Sequence, residues 1–205
     1  MLLLVPTEIE AKVLKKFGLE PVIIGMGPVE AAIAAYDKLN TQIEGPVILA
    51  GIGGAYPGSD LKIGDIALAS VEFFGDFGTC HPSGFRPFSA NLPAKREVSL
   101  RHPILEKALA LLEEEGFSPE CGSFVTVCCA TYDTERGEIL AIRHQNALIE
   151  NMEGFSVALV AQKLSQPLLE IRAVSNLIEN PKAGWKVALA LEKLGEALVC
   201  LKKKL

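Results

Sequence analysis

The chain has 205 residues, 49% of them hydrophobic and 22% charged, with a formal net charge of −5. That length predicts one domain, 1–205, with a substantial core, and the apolar balance excludes a disordered chain. The negative charge gives no attraction for nucleic acid, and no run of about 18 apolar residues supports a membrane-spanning helix.

Taken in chain order, short apolar runs alternate with amphipathic stretches. Met1-Leu2-Leu3-Leu4-Val5 has no basic segment before it and no cleavage pattern after it, so it reads as a strand and not a signal peptide. Further strands are predicted at 21–24, 47–50, 65–71, 123–129, 147–150 and 168–174, from their β-branched and apolar content. Helices are predicted at 8–17, 28–40, 102–116, 134–145, 154–165 and 184–203. Thr7 and Glu10 form a capping box for the first, Pro28 suits the first turn of the second, and Gly116 stops the third. The alternation implies a central sheet with helices on both faces. The pair of strands around 65–73 and 121–129 is less clearly joined by a helix, which predicts a mixed sheet. The terminal Lys202-Lys203-Lys204 complements the dipole at the end of the last helix.

Two segments interrupt the rhythm. Gly51-Ile52-Gly53-Gly54-Ala55 reads as a turn after the strand ending at Ala50, where a ligand can approach the backbone amides. No third glycine follows at dinucleotide spacing, Tyr56-Pro57-Gly58 continues a loop, and Gly-Lys-Ser/Thr is lacking, which excludes the Rossmann fingerprint and the P-loop. Residues 73–100 interleave Gly75, Gly78, Pro82, Gly84, Pro87 and Pro93 with Phe73, Phe74, Phe77, Phe85 and Phe88. That composition predicts a long irregular loop whose rings must pack on the domain body, a ligand or a neighbouring subunit.

Cys80, Cys121, Cys128, Cys129 and Cys200 are odd in number and contain no Cys-x-x-Cys, which argues against a disulfide framework and a zinc site. No metal and no cofactor are expected, and a cytoplasmic location is. Cys128 and Cys129 fall in a run of β-formers and are expected as small buried apolar groups. Trp185, at the start of the last helix, is expected in the core, with covering a bound base as the second possibility. His81, His102 and His144 show no partner pattern and are assigned surface or loop roles.

The remaining signals are two polar islands at strand ends, Glu150-Asn151-Met152-Glu153-Gly154 and Arg172-Ala173-Val174-Ser175-Asn176. In α/β sheets ligands bind at the carboxyl ends of strands. With Val5-Pro6-Thr7-Glu8-Ile9-Glu10, Gly25-Met26-Gly27-Pro28-Val29-Glu30-Ala31-Ala32, the 51–55 glycines and Leu61-Lys62-Ile63-Gly64-Asp65, these segments resemble the nucleoside phosphorylase and nucleosidase superfamily. The chain is most similar to its hydrolytic branch, which includes methylthioadenosine/S-adenosylhomocysteine nucleosidases and futalosine hydrolases of menaquinone biosynthesis. No single segment is specific; the set of six, in the family's order, covers nearly the whole chain.

The resemblance implies a three-layer α/β/α sandwich with a central mixed β-sheet, binding a purine nucleoside and cleaving its N-glycosidic bond. It assigns Glu10 as the carboxylate that activates water, a role that burial would favour by raising its pKa, beside the capping role read from spacing. Asn176 falls where the family activates the leaving base, with Ser175 beside it. Glu153 holds the ribose hydroxyls, Met152 packs on the sugar, Gly53 and Gly54 allow close approach, and Ala130 and Thr131 present backbone to the purine edge. Arg172 is expected to satisfy a nearby carboxylate. The arginines that phosphorylases bring to phosphate are missing from Val5-Pro6-Thr7-Glu8 and Leu49-Ala50-Gly51, so hydrolysis is expected. An asparagine offers a fixed donor and acceptor, which matches a 6-oxopurine, and adenine facing it leaves a mismatch costing about 1–3 kcal/mol. Arg86 is a candidate for a carboxylate at the 5′ end of the substrate, or a solvated loop charge. The partners implied are a small purine nucleoside and a second copy of the chain, as a homodimer or higher homo-oligomer. An adenine-releasing nucleosidase and a noncatalytic nucleoside-binding module stay open as alternatives.

Overall fold

The computed structural model describes residues 1–81, 84–89 and 91–205; Pro82 lies outside them. The strands are β1 (Leu2–Val5), β2 (Pro21–Ile23), β3 (Val47–Ala55), β4 (Ile66–Phe74), β5 (Gly78–His81), β6 (Gly84–Pro87), β7 (Glu97–Ser99), β8 (Glu120–Thr126), β9 (Ile149–Asn151) and β10 (Leu168–Leu177). The helices are α1 (Glu8–Lys15), α2 (Pro28–Leu39), α3 (Pro103–Glu114), α4 (Thr134–Arg143), α5 (Gly154–Lys163) and α6 (Val187–Lys204).

The sheet is mixed, and β3 organises it. Along one edge β3 pairs in parallel with β10. On the other, its first half lies beside β1 and its last two residues lie antiparallel to β9. β9 pairs with β8, β8 with β4, and β4 antiparallel with β10, so the pairings return to β3 and the sheet curls on itself at one end. The expected source of mixing is corrected: β4 and β8 run parallel, and α3 connects them.

Strand alternation sorts the core onto the two faces. Leu3 and Val5 pack with Ile48, Ala50, Ile171 and the inner faces of α1, α3 and α6. Leu4 faces the other way, with Leu49, Phe124 and the buried sides of α2 and α5. A third cluster under α4 joins Val125, Val127 and Leu140 to Tyr56 and Ile178. Side chains two apart share a face, so one apolar run feeds two cores.

Four expectations change. The 51–55 glycines are not a turn: β3 runs through them to Ala55. They are glycines because neighbours crowd in, since a Cβ on Gly51 would lie 2.7 Å from Arg172 Nη1 and 2.9 Å from Glu10 Oε1. Residues 73–100 are not an irregular loop throughout; β4 continues to Phe74, β5 and β6 form a hairpin, and β7 joins β4. Phe74 stacks on Phe77 and Phe155, and Phe77 meets Phe88 edge-on, so these rings pack largely on one another and on α5. Cys128 and Cys129 lie beyond the end of β8 and are exposed, because Asp76 Oδ2 takes both of their N–H groups and turns the chain out of the sheet. Trp185 precedes α6 and is 59% exposed, not in the core. The capping box at Thr7, Pro28 in the first turn of α2, and the positive φ of Gly116 after α3 stand as predicted. No helix among the described residues is long and apolar enough to cross a membrane.

Candidate active site

The carboxyl ends of β1, β3, β9 and β10 converge on a cavity of about 270 Å³. Its wall brings together Glu10, Gly53, Gly54, Ala130, Thr131, Met152, Glu153 and Asn176, with Arg172, Glu150, Ile9, Met26 and Trp185. Ser175 lies behind Asn176 and is fully buried. Arg86 is not brought to the cavity: it is an exposed residue of β6, and its carbonyl accepts from Thr79 Oγ1 across the hairpin.

Glu10 serves the helix and the cavity at once. Its Oε2 accepts the Thr7 N–H at 2.8 Å and the Thr7 hydroxyl at 2.8 Å, closing the capping box. Its Oε1 accepts the Ile52 N–H at 3.3 Å. Burial raises its pKa above the ordinary 4.5, against the lowering pull of Thr7, Arg172 and Ile52. Thr7 starts α1 where β1 ends, so the capping residue of the first turn must project over the strand ends.

Arg172 holds Glu153 and Glu170 together at the cavity. Arg172, 1% exposed, gives Nε to Glu170 Oε1 at 3.0 Å, Nη1 to Glu153 Oε2 at 3.3 Å and Nη2 to Asn151 Oδ1 at 3.4 Å. Burial alone would weaken its charge, and the carboxylates of Glu170, Glu153, Glu72 and Glu10 more than reverse that. Glu153, at the N-cap of α5, also takes the Gly27 N–H at 3.1 Å. Beneath it, Asn151 Oδ1 accepts the N–H groups of Glu153 and Gly154, and Thr126 Oγ1 that of Phe155. Glu72 in turn accepts from Asn151 Nδ2 and Thr126 Oγ1. Burial drives the pKa of Glu72 well up, with the nearby Glu170 adding to it, and burial raises that of Glu170. The expected structural role of Arg172 is therefore present, with Glu153 and Glu170 as its partners.

Asn176 owes its aim to a break in β10. Val174 pairs with Gly53 and Asn176 with Gly54, leaving Ser175 as the extra residue. Without that bulge Asn176 would turn to the opposite face; bulges beside active sites re-aim side chains in this way. The Ser175 hydroxyl lies 2.9 Å from Asn176 Oδ1 and 3.1 Å from the Gly53 carbonyl. Asn176 Nδ2 is left without an acceptor among the described residues. Sequence reasoning passed over Glu150 beyond noting it in its island, and passed over Pro6, Ile9 and Met26 as cavity walls. The capping box was the available signal for the first-turn neighbours of Glu10, and the Gly25-Met26-Gly27 family segment was the one for Met26.

The sequence model of the phosphorylase superfamily matches residues 14–201. A futalosine hydrolase of Streptomyces coelicolor is 33% identical over 180 residues, covering 85% of this chain and 74% of the relative. An aminodeoxyfutalosine nucleosidase of Helicobacter pylori is 31% identical over 72% of this chain and 62% of its own length. In fold, the 5′-methylthioadenosine/S-adenosylhomocysteine nucleosidase of Neisseria meningitidis, solved with methylthio-immucillin-A, superposes with a TM-score of 0.83 at 19% identity. That superposition covers 99% of this chain and 98% of the other. The chain belongs to the phosphorylase superfamily, on the branch that holds the futalosine hydrolases and related nucleosidases.

Proposed function

We propose that the protein hydrolyses the N-glycosidic bond of futalosine, releasing hypoxanthine and leaving dehypoxanthine futalosine. The observation that carries the choice of base is Asn176, turned into the cavity by the Ser175 bulge, where its amide offers a fixed donor beside an acceptor. A 6-oxygen accepts there, whereas the exocyclic amine of adenine meets it donor to donor.

Glu10 takes a proton from water as the water oxygen bonds to C1′; the C1′–N9 bond breaks and its electron pair leaves with the base. Asn176 hydrogen-bonds the departing purine, and the purine anion takes up a proton from solvent while Glu10 returns its own to solvent. The sugar passes through an oxocarbenium-like state, which the carboxylates of Glu10 and Glu153 stabilise electrostatically. Glu153 accepts from the ribose hydroxyls and Met152 packs on the sugar. Gly53 and Gly54 let the nucleoside approach the backbone, and Ala130 and Thr131 border the purine. Water is favoured over phosphate because the cavity's arginine, Arg172, is already paired with Glu153 and Glu170.

A second copy of the chain completes the site in this reading. Met26, Val29, Ile33 and Tyr36 form an exposed apolar stripe along α2 and the loop before it, spaced as one helix face. Arg86, which does not line its own chain's cavity, then meets the 5′ carboxylate of futalosine across the dimer. The five cysteines are free, in keeping with a reducing, cytoplasmic setting.

The test is base release from futalosine, aminodeoxyfutalosine, methylthioadenosine and inosine, with and without phosphate, by the protein and by Asn176→Asp. Hypoxanthine from futalosine without phosphate is expected, and Asn176→Asp should move preference toward the adenine nucleosides by about tenfold or more. Preferential adenine release by the unmodified protein points to the aminodeoxyfutalosine relatives instead. Binding without release of any base identifies a noncatalytic module.

A further inference from the structure

Two buried acids beneath the cavity have no part in the chemistry just described. Glu72 and Glu170 are both 0% exposed, and neither lines the cavity. With Glu153 and Glu10 they surround the guanidinium of Arg172. Four carboxylates around one cation, two of them sealed from water, leave buried negative charge without compensation. A buried acid in that position keeps its proton instead.

The geometry says where that proton lies. Glu72 comes from β4 and Glu170 from the neighbouring β10, and a Cβ on Gly154 would collide with Oε1 of both. The two side chains are hydrogen-bonded to one another, a contact that two carboxylate ions, having no hydrogen, cannot make. Glu170 Oε1 takes Arg172 Nε at 3.0 Å, so the cation favours its ionised form. Its Oε2 is buried with no donor from the other described residues. Glu72 has only the neutral side chains of Thr126 and Asn151 as hydrogen-bond partners besides Glu170. Burial raises the pKa of both acids, that of Glu72 well up with Glu170 adding to it, while Glu153 repels Glu170 from the start of α5. Tyr56, the other titratable group that senses Glu72, stays a neutral phenol through burial.

We propose that Glu72 and Glu170 form a carboxylic acid–carboxylate pair, with Glu72 carrying the shared proton, and that the pair positions Arg172 against Glu153. With the proton in place, Glu170 presents one negative charge to Arg172 Nε, and Nη1 stays with Glu153 Oε2 at 3.3 Å. Without it, a second charge lies behind the guanidinium and competes with Glu153 for it. Both acids act through Arg172 and are positioning residues.

Proton linkage reads the pair without any substrate. An acid that holds its proton when folded and releases it on unfolding makes unfolding easier as pH rises above its free value of 4.5. From about pH 5 to about pH 8 the urea midpoint of the parent should therefore fall relative to that of Glu72→Gln, which is neutral throughout and keeps an amide donor for Glu170. A difference that stays constant with pH means that Glu72 is ionised in the native state, and overturns the pair. The positioning is read on futalosine, and this arm alone rests on the function proposed above. Glu170→Gln should raise KM by about tenfold or more with a smaller change in kcat, whereas Glu72→Gln should keep both within about twofold near neutral pH. Equal losses in the two variants would make Glu72 a second anion and overturn the proposal. If Glu72→Gln fails to fold, the infrared spectrum of the unmodified protein decides: a protonated-carboxyl C=O band at neutral pH is expected, and its absence overturns the pair. Failure of the unmodified protein to release base from futalosine would sink the proposed function and leave the linkage result standing.

Discussion

Glu10 combines two roles that would compete if the chain were read locally. One oxygen closes the helix cap and the other reaches the Ile52 amide at the cavity wall, so the cap holds the carboxylate in position. Its pKa lies above 4.5, chiefly through burial. A general base works only when ionised, so a raised pKa moves the acid limb of the rate to higher pH. We therefore expect kcat/KM for futalosine, measured at constant ionic strength, to fall with acidification through a pKa above 4.5. Glu10→Gln should lower kcat by about 10²–10⁴-fold and flatten that limb; full turnover in this variant would leave Glu10 with only the cap.

The N-terminus of α5 is the element that holds Glu153 at the cavity wall. Glu153 caps it, Asn151 and Thr126 take its first amides, and Glu72 and Glu170 lie against Gly154. A Cβ on Gly154 would collide with both carboxylates. Helix propensity favours alanine over glycine by about 1 kcal/mol, whereas overpacking a rigid buried site costs about 1–3 kcal/mol, and here the displaced groups are buried acids with little room to move. Gly154→Ala should therefore be destabilising by about 1–2 kcal/mol in urea unfolding, with KM raised because Glu153 shifts with the helix start. A variant as stable as the parent would show that the acids can move aside. The glycines of β3 teach a related lesson. Their composition suggested a turn, yet each makes room for a neighbour from another strand or helix, a partner invisible in the local sequence.

For the assembled molecule, the exposed stripe on α2 and the position of Arg86 outside the cavity lining make a joint prediction. Sedimentation should give the mass of a dimer, and Ile33→Asp, which places a charge in the apolar stripe, should give a monomer. Arg86→Ala should raise KM about tenfold for futalosine and leave inosine unaffected, because only futalosine carries the 5′ carboxylate; equal effects on both would remove Arg86 from the site. Much of this architecture was legible beforehand. The strand and helix order and the capping box at Thr7 followed from periodicity and caps, because those signals are carried by residues close together in the chain; that Glu10, Met152, Glu153 and Asn176 would share one site followed from the family resemblance. The bulge at Ser175 that aims the amide and the course of β3 through its glycines were not. Each depends on which strands lie side by side and in what register, and on one arginine shared among acids far apart in the chain. Such pairings are chosen by packing across the whole sheet, where a shift of a single residue turns a side chain to the opposite face.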